Sequence, residues 1–197
     1  MRVIAMPTDD LGAFVTDYYR RFAETIQAFE LGPLADVQAV IDDVRKAGGT
    51  LWVAGNGGSA AIADHIVCDC AKGTYVEGQP PLRTVALTSN GPILTALGND
   101  ISYDTVFSEQ LKYYLTDKDA LLVVSSSGNS PNVVNACAYA NERGVPTIAF
   151  VGFKGGKLKD IARHVMHVEA DNYGIVEDMH MSFIHVLTQY MTARAKA

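Results

Sequence analysis

The chain of 197 residues has little cysteine, little net charge and no long apolar run. Its three cysteines are Cys68, Cys70 and Cys137, an odd count with two of them one residue apart. That pattern excludes a disulfide framework and points to a reducing, cytoplasmic setting. Lysine and arginine cluster nowhere, and 16 basic against 22 acidic residues leave a net charge of −6. Nucleic acid and acidic membrane surfaces are therefore not expected as direct partners. Apolar runs reach only about six residues, far short of a membrane span. The opening MRVIAMPTDDLG lacks the apolar stretch of a secretory leader. Repeats, low-complexity tracts and long linkers are absent too. The length suits one domain, 1–197, with 9–47 as an N-terminal helical extension.

What is present is a change of period near residue 49. Before it, Leu11, Phe14, Val15, Tyr18, Phe22, Ile26 and Phe29 recur at helical spacing over roughly 9–30. Thr8 is the expected N-cap and Gly32-Pro33 the stop. A second helix is expected over roughly 34–47, ending at Gly48-Gly49. The first helix's long apolar stripe packs either on its own sheet or on a partner subunit. After residue 49, short apolar runs appear at Thr50–Ala54, Arg83–Leu87, Ala120–Ser125, Thr147–Val151 and His164–Val168, with helical stretches between. Buried strands joined by helices predict an α/β fold: a three-layer sandwich around a five-stranded parallel sheet. Ligands in such folds bind beyond the carboxyl ends of the strands, so the loops there carry the information.

Two of these loops stand out. The first strand runs into Gly55-Asn56-Gly57-Gly58-Ser59 and then an alanine-rich helix. Glycines let the backbone turn tightly, and the helix start offers free N–H groups. Ser59 either caps this helix or meets a ligand. The third strand ends in Ser125-Ser126-Ser127-Gly128-Asn129-Ser130, with Pro131 opening the next helix. Four hydroxyls at one helix start suit a phosphate that carries no metal. Each loop alone also reads as an ordinary strand-to-helix turn; two after strands of one sheet favour a ligand.

Proton-moving and metal-holding candidates lie on two helices. His65 and Asp69 stand four residues apart, on one face. Glu177, Asp178, His180 and His185 lie on the expected final helix. Two histidines with carboxylates form either an acid–base pair or a divalent metal site. The alternatives are a solvated face for His65 and Asp69, and buried, satisfied histidines for His180 and His185. Cys68 and Cys70 flank Asp69, but a helix turns them about 200° apart, so buried free thiols are expected. His164 and His167 belong to an edge strand, and Trp52 and the tyrosines read as packing.

Gly55–Ser59, Leu97-Gly98-Asn99-Asp100 and Ser125–Ser130 resemble the three signatures of the sugar isomerase (SIS) domain family. The leading helices and final helix resemble its phosphoheptose isomerase branch, over residues 9–195. The resemblance implies a flavodoxin-like sandwich and a homotetramer with active sites at subunit interfaces. It implies conversion of sedoheptulose 7-phosphate to D-glycero-D-manno-heptose 7-phosphate, for lipopolysaccharide or capsule heptose. It places sugar contacts at Asn56, Gly57, Gly58, Ser59, Asn99, Asp100 and Glu177, and phosphate contacts at Ser125, Ser126, Ser127 and Ser130. It makes His65, Asp69, Glu177 and His185 the ligands of a divalent metal, zinc. Asp69 becomes the base, and His185, from a neighbouring subunit, the acid. Two positions depart from the branch: Asp69 stands for its glutamate and Glu177 for its glutamine. Asp178, seven residues before His185, is a rival ligand. Other readings are a non-catalytic SIS protein that binds a phosphosugar or a replication initiator, and an isomerase of a shorter phosphosugar. His65, an acid at 69 and His185 together favour the enzyme.

Overall fold

A computed structural model describes residues 9–196. Five strands, β1 (Thr50–Gly55), β2 (Arg83–Ala86), β3 (Ala120–Ser125), β4 (Thr147–Val151) and β5 (His164–His167), form one sheet. All neighbours are parallel and the order is β2-β1-β3-β4-β5. The expected strands thus stand within one residue of their observed ends. Two-sided burial explains why they are legible. Leu51, Val53, Leu122, Val124, Ile148 and Phe150 point to one face. Trp52, Ala54, Leu121, Val123, Ala149 and Val151 point to the other. Alternate side chains fill opposite cores, so each strand reads as a continuous apolar run.

Helices α1 (Leu11–Ala28), α2 (Gly32–Ala47), α3 (Gly58–Cys68), α4 (Gly91–Asp100), α5 (Val106–Tyr114), α6 (Pro131–Glu142), α7 (Gly156–Ile161) and α8 (Tyr173–Lys196) surround the sheet. The first core draws on α2, α3 and α8, and the second on α4, α5, α6 and α7. Thr8 lies outside the described residues; Asp10 caps α1 by accepting from Gly12 N at 2.9 Å. Gly32-Pro33 opens α2, as suits a proline in a first turn. Gly48, in the left-handed conformation at φ 66°, ends it. No residue of α1 is buried; Leu11, Val15, Tyr19 and Ile26 are exposed. Among the described residues, no helix is long and apolar enough to cross a membrane.

The helix expected over 59–72 stops at Cys68 and passes into a π-helical turn, Asp69–Gly73. Such turns widen the backbone locally and recur at functional sites. Gly58 faces Glu177, His65 faces His185, and Gly73 O accepts from Thr192 Oγ1. The nearly constant offset of 119–120 residues shows that α8 runs parallel to α3 and its π turn.

Candidate active site

Strands β1 and β3 are neighbours at the centre of the sheet, and their connections leave in opposite directions. In a parallel sheet this switch point opens a crevice at the carboxyl ends. The glycine turn after β1 and the serine turn after β3 both lie there.

About two helical turns along α3 from the glycine turn, α3 and α8 bring three side chains together. His65 Nε2 and His185 Nε2 stand 2.9 Å apart. Asp69 Oδ2 lies 3.3 Å from the first and 3.8 Å from the second. All three ligand atoms fall within 4.8 Å of one another. The side chains stay 40%, 26% and 44% exposed for His65, Asp69 and His185, so the group is open to a ligand. Two imidazole nitrogens and a carboxylate oxygen converging on one point fit a divalent cation of the zinc class.

The serine turn is built to leave its hydroxyl protons free. Ser125 Oγ accepts from Gly128 N at 3.2 Å, and Ser127 Oγ from Asn129 N at 3.3 Å. A hydroxyl that accepts in this way still has a proton to give. Ser126 Oγ is buried without a partner, and Ser130 makes no capping bond to α6. Gly128 holds φ 64°, and a methyl group on it would stand 1.9 Å from Gly155 O. Only glycine therefore lets this turn close onto the loop after β4.

In the glycine turn, Gly57 at φ 56° precedes α3, and Ser59 is buried inside the first helical turn. Ser59 is not the cap. Asn56 is largely engaged by the protein. Its Nδ2 donates to Asn132 Oδ1 at 2.8 Å, while its Oδ1 accepts from Asn132 Nδ2 and Tyr103 OH, each at 3.0 Å. The Asn56 side chain is thus a strut between the two turns, with its polar atoms already engaged.

A family model described as the SIS domain matches residues 16–152. The probable phosphoheptose isomerase of Thermoplasma acidophilum is 40% identical over 147 residues, 75% of this chain and 80% of that protein. The phosphoheptose isomerase of Rhodospirillum rubrum is 35% identical over 177 residues, 87% of this chain and 94% of that protein. The solved phosphoheptose isomerase from Neisseria gonorrhoeae superposes with a TM-score of 0.86 at 29% identity, covering 93% of this chain and 100% of that one. The chain belongs to the SIS domain family, in its phosphoheptose isomerase branch. The fold extends further: the sugar isomerase domain of an RpiR transcription factor from Sphaerobacter thermophilus matches at TM-score 0.67 and 22% identity, over 91% of this chain and 88% of that one.

Within this SIS domain several expectations need correction. Glu177 does not join His65, Asp69 and His185. Eight residues of α8 place it about 12 Å further along the helix axis than His185. It lies instead against Gly58, where a methyl group would stand 2.8 and 3.0 Å from its carboxylate oxygens. Burial first, then the charge of Asp178, push its carboxyl above the usual range. Asp178 is no rival ligand, because its Oδ2 accepts from Tyr18 OH on α1 at 3.0 Å. Burial and that bond push the Tyr18 phenol up to about 12. His185 reaches the centre from the same chain, so no neighbouring subunit is needed to bring these three residues together. His180 is fully buried but not satisfied: neither ring nitrogen makes a hydrogen bond of normal geometry. Cys70 and Cys137 are buried, but Cys68 is exposed.

Asn99 donates to Asp100 at 2.8 Å on the exposed end of α4, and neither bonds to the two turns. That segment reaches the site through Tyr103, which is far from a packing residue at 57% exposure. Asn132, 1% exposed, is the other residue that the motifs do not announce. It follows Pro131 in the first turn of α6, where asparagine reads as a local cap.

Proposed function

We propose that the protein interconverts a phosphorylated seven-carbon ketose and its aldose, sedoheptulose 7-phosphate and D-glycero-D-manno-heptose 7-phosphate. The convergence of His65, Asp69 and His185 on one point carries this reading. The names of the relatives supply the sugar. Ser125, Ser126, Ser127 and Ser130 donate their hydroxyl protons to the phosphate, assisted by the start of α6. Gly57, Gly58, Ser59, Asn99 and Asp100 line the path of the sugar, and Tyr103 adds a phenol.

An aldose–ketose exchange moves one carbon-bound proton from C1 to C2 and one hydroxyl proton from O1 to O2, with no net change of atoms. The Asp69 carboxylate takes the proton from C1 and returns it at C2. His185 carries the proton between the oxygens. His65 stands within 3.3 Å of Asp69 and orients it. His65, Asp69 and His185 would hold a divalent cation, zinc by the chemistry of the donor set, which when bound would supply positive charge beside the reacting oxygens.

The unburied α1 supports assembly with further copies, a tetramer as the branch implies; light scattering should count about four chains per particle. The decisive experiment incubates purified protein with sedoheptulose 7-phosphate and follows the aldose proton by NMR. Appearance of the heptose 7-phosphate is expected; its absence, with the ketose still bound, moves the reading to a phosphosugar-binding regulator.

A further inference from the structure

We propose that His167, on the edge strand β5, is a positioning residue for phosphate capture: it holds the loop after β4 against the back of the serine turn. The proposal rests on the functional reading above, which gives that turn the phosphate. The shape of the turn is set partly from behind. Gly152 N donates to Ser126 O at 2.9 Å, Leu158 N to Gly128 O at 3.0 Å, and Lys157 N to Asn129 Oδ1 at 3.0 Å. All three donors belong to the loop after β4 or to the first turn of α7. The two segments touch so closely that a methyl group on Gly156 would stand 2.4 Å from Ser127 O. Donors in front of the turn stay converged on an anion only while this backing stays in place.

The backing contains a residue that would relax if it were free. Phe153 holds φ 50°, the one non-glycine residue at positive φ among the described residues. A side chain in that region crowds its own backbone. Phe153 follows Gly152 directly, so any relaxation pulls on the bond to Ser126. Three contacts hold it. Its N–H donates to Ala170 O at 3.2 Å, its ring meets Tyr173 at 4.7 Å between centroids, and its carbonyl accepts from His167 Nε2 at 3.0 Å. A carbonyl can only accept, so Nε2 carries the proton and Nδ1 of the neutral ring has a lone pair. Lys159 Nζ, 3.2 Å away, donates to that lone pair and fixes the tautomer. Glu169 Oε1 stands 3.6 Å from the same nitrogen and takes over when the ring is protonated. The bond to Phe153 therefore persists in either charge state. The His167 side chain is only 13% exposed, which shields that bond from competing water.

The test titrates inorganic phosphate into wild type, His167→Phe, His167→Gln, Lys159→Met and Ser127→Ala, beside melting temperatures and kinetics on sedoheptulose 7-phosphate. His167→Phe keeps a ring and removes the donor. Phosphate affinity should fall about tenfold and KM rise by the same factor, with kcat unchanged within about twofold. His167→Gln returns an N–H to the Phe153 carbonyl and should stay within about threefold of wild type. Lys159→Met, a change at an exposed side chain, frees the ring to turn and should weaken phosphate about threefold. It decides the matter if His167→Phe does not fold. Wild-type phosphate affinity in folded His167→Phe overturns the proposal, even with a lowered melting temperature, since His167 then serves stability alone. An equal loss in His167→Gln overturns it too, as does unchanged affinity in Lys159→Met. If Ser127→Ala leaves phosphate binding untouched, the phosphate assignment of the functional reading fails. A sensitive Ser127→Ala beside an insensitive His167→Phe sinks this inference alone.

Discussion

Asp119 and Glu177 are carboxylates at opposite ends of the sheet, and the fold treats them in opposite ways. Asp119 immediately precedes β3, where the strands begin, and is 4% exposed. It accepts from Thr50 N and Thr116 N at 2.7 Å and from Trp52 Nε1 at 3.1 Å. Three donors offset the loss of water around a buried carboxylate. They tie β1, β3 and the loop before β3 into one corner. Glu177 stands where the strands end, against bare backbone, with no donor of its own. Asp119, at the closed end of the sheet, is thus satisfied internally. The carboxyl end leaves Glu177, Ser126 and Ser130 to be satisfied by something else. Satisfaction marks the part that holds the fold, and reachable vacancy marks the part that holds a ligand.

The largest expected effect comes from removing a reacting group, where only chemistry should change. Asp69→Asn should lower kcat by at least the roughly 10²–10⁴-fold associated with a general base. Phosphate affinity by titration and the melting temperature should stay put. Asp69→Asn with full turnover would end the assignment of the base.

The complementary change at the closed end should do the reverse. Asp119→Ala strands two backbone N–H groups and an indole N–H, and should lower stability by about 3–4 kcal/mol. Urea unfolding measures the loss, and turnover per folded chain should be unchanged. A loss near zero would show that water serves that corner as well as the carboxylate does.

His180 sharpens the comparison, since it too is unpartnered but cannot be reached. Its imidazole sits among Phe150 and Phe183, and burial holds its pKa down to about 4, although the backbone of Val151 opposes the shift. The unfolded chain takes up this proton near the ordinary value of 6.5, and the folded chain only near 4. Stability is therefore full above about pH 6.5 and declines as pH falls toward 4, by up to about 3 kcal/mol. Comparing urea midpoints at high and low pH, His180→Phe should flatten that slope without changing turnover at neutral pH. An equal slope in the variant would assign the acid sensitivity to other groups.

The sheet was legible because burial on both faces writes each strand as an unbroken apolar run, as in Leu121–Val124 and Ile148–Val151. The two turns were legible because Gly57 and Gly128 adopt positive φ, a need met locally by glycine. His65 and Asp69 were legible as a pair because four residues make one helical turn. What escaped depended on distance along the chain. Asn56 looked like a sugar contact because its partner Asn132 lies 76 residues away. Glu177 looked like a metal ligand because the register of α8 against α3 fixes which residue meets which, and no local pattern states that register. The π turn at Asp69–Gly73 escaped because Asp-Cys-Ala-Lys reads as ordinary helix until glycine stops it.

The parallel alignment of α3 with α8 has a hereditary consequence. On the proposed reading, the loop after β1 holds the sugar and the loop after β3 its phosphate, whereas the reacting centre draws on His185 from a helix 120 residues beyond His65. The His185 side chain is 44% exposed and, among the described residues, its polar contacts are with His65 and Asp69 alone. One altered codon there removes the chemistry while the sheet, its cores and both turns keep their contacts. A lineage built on this plan stands a single step from turning a catalyst into a receptor for the same sugar.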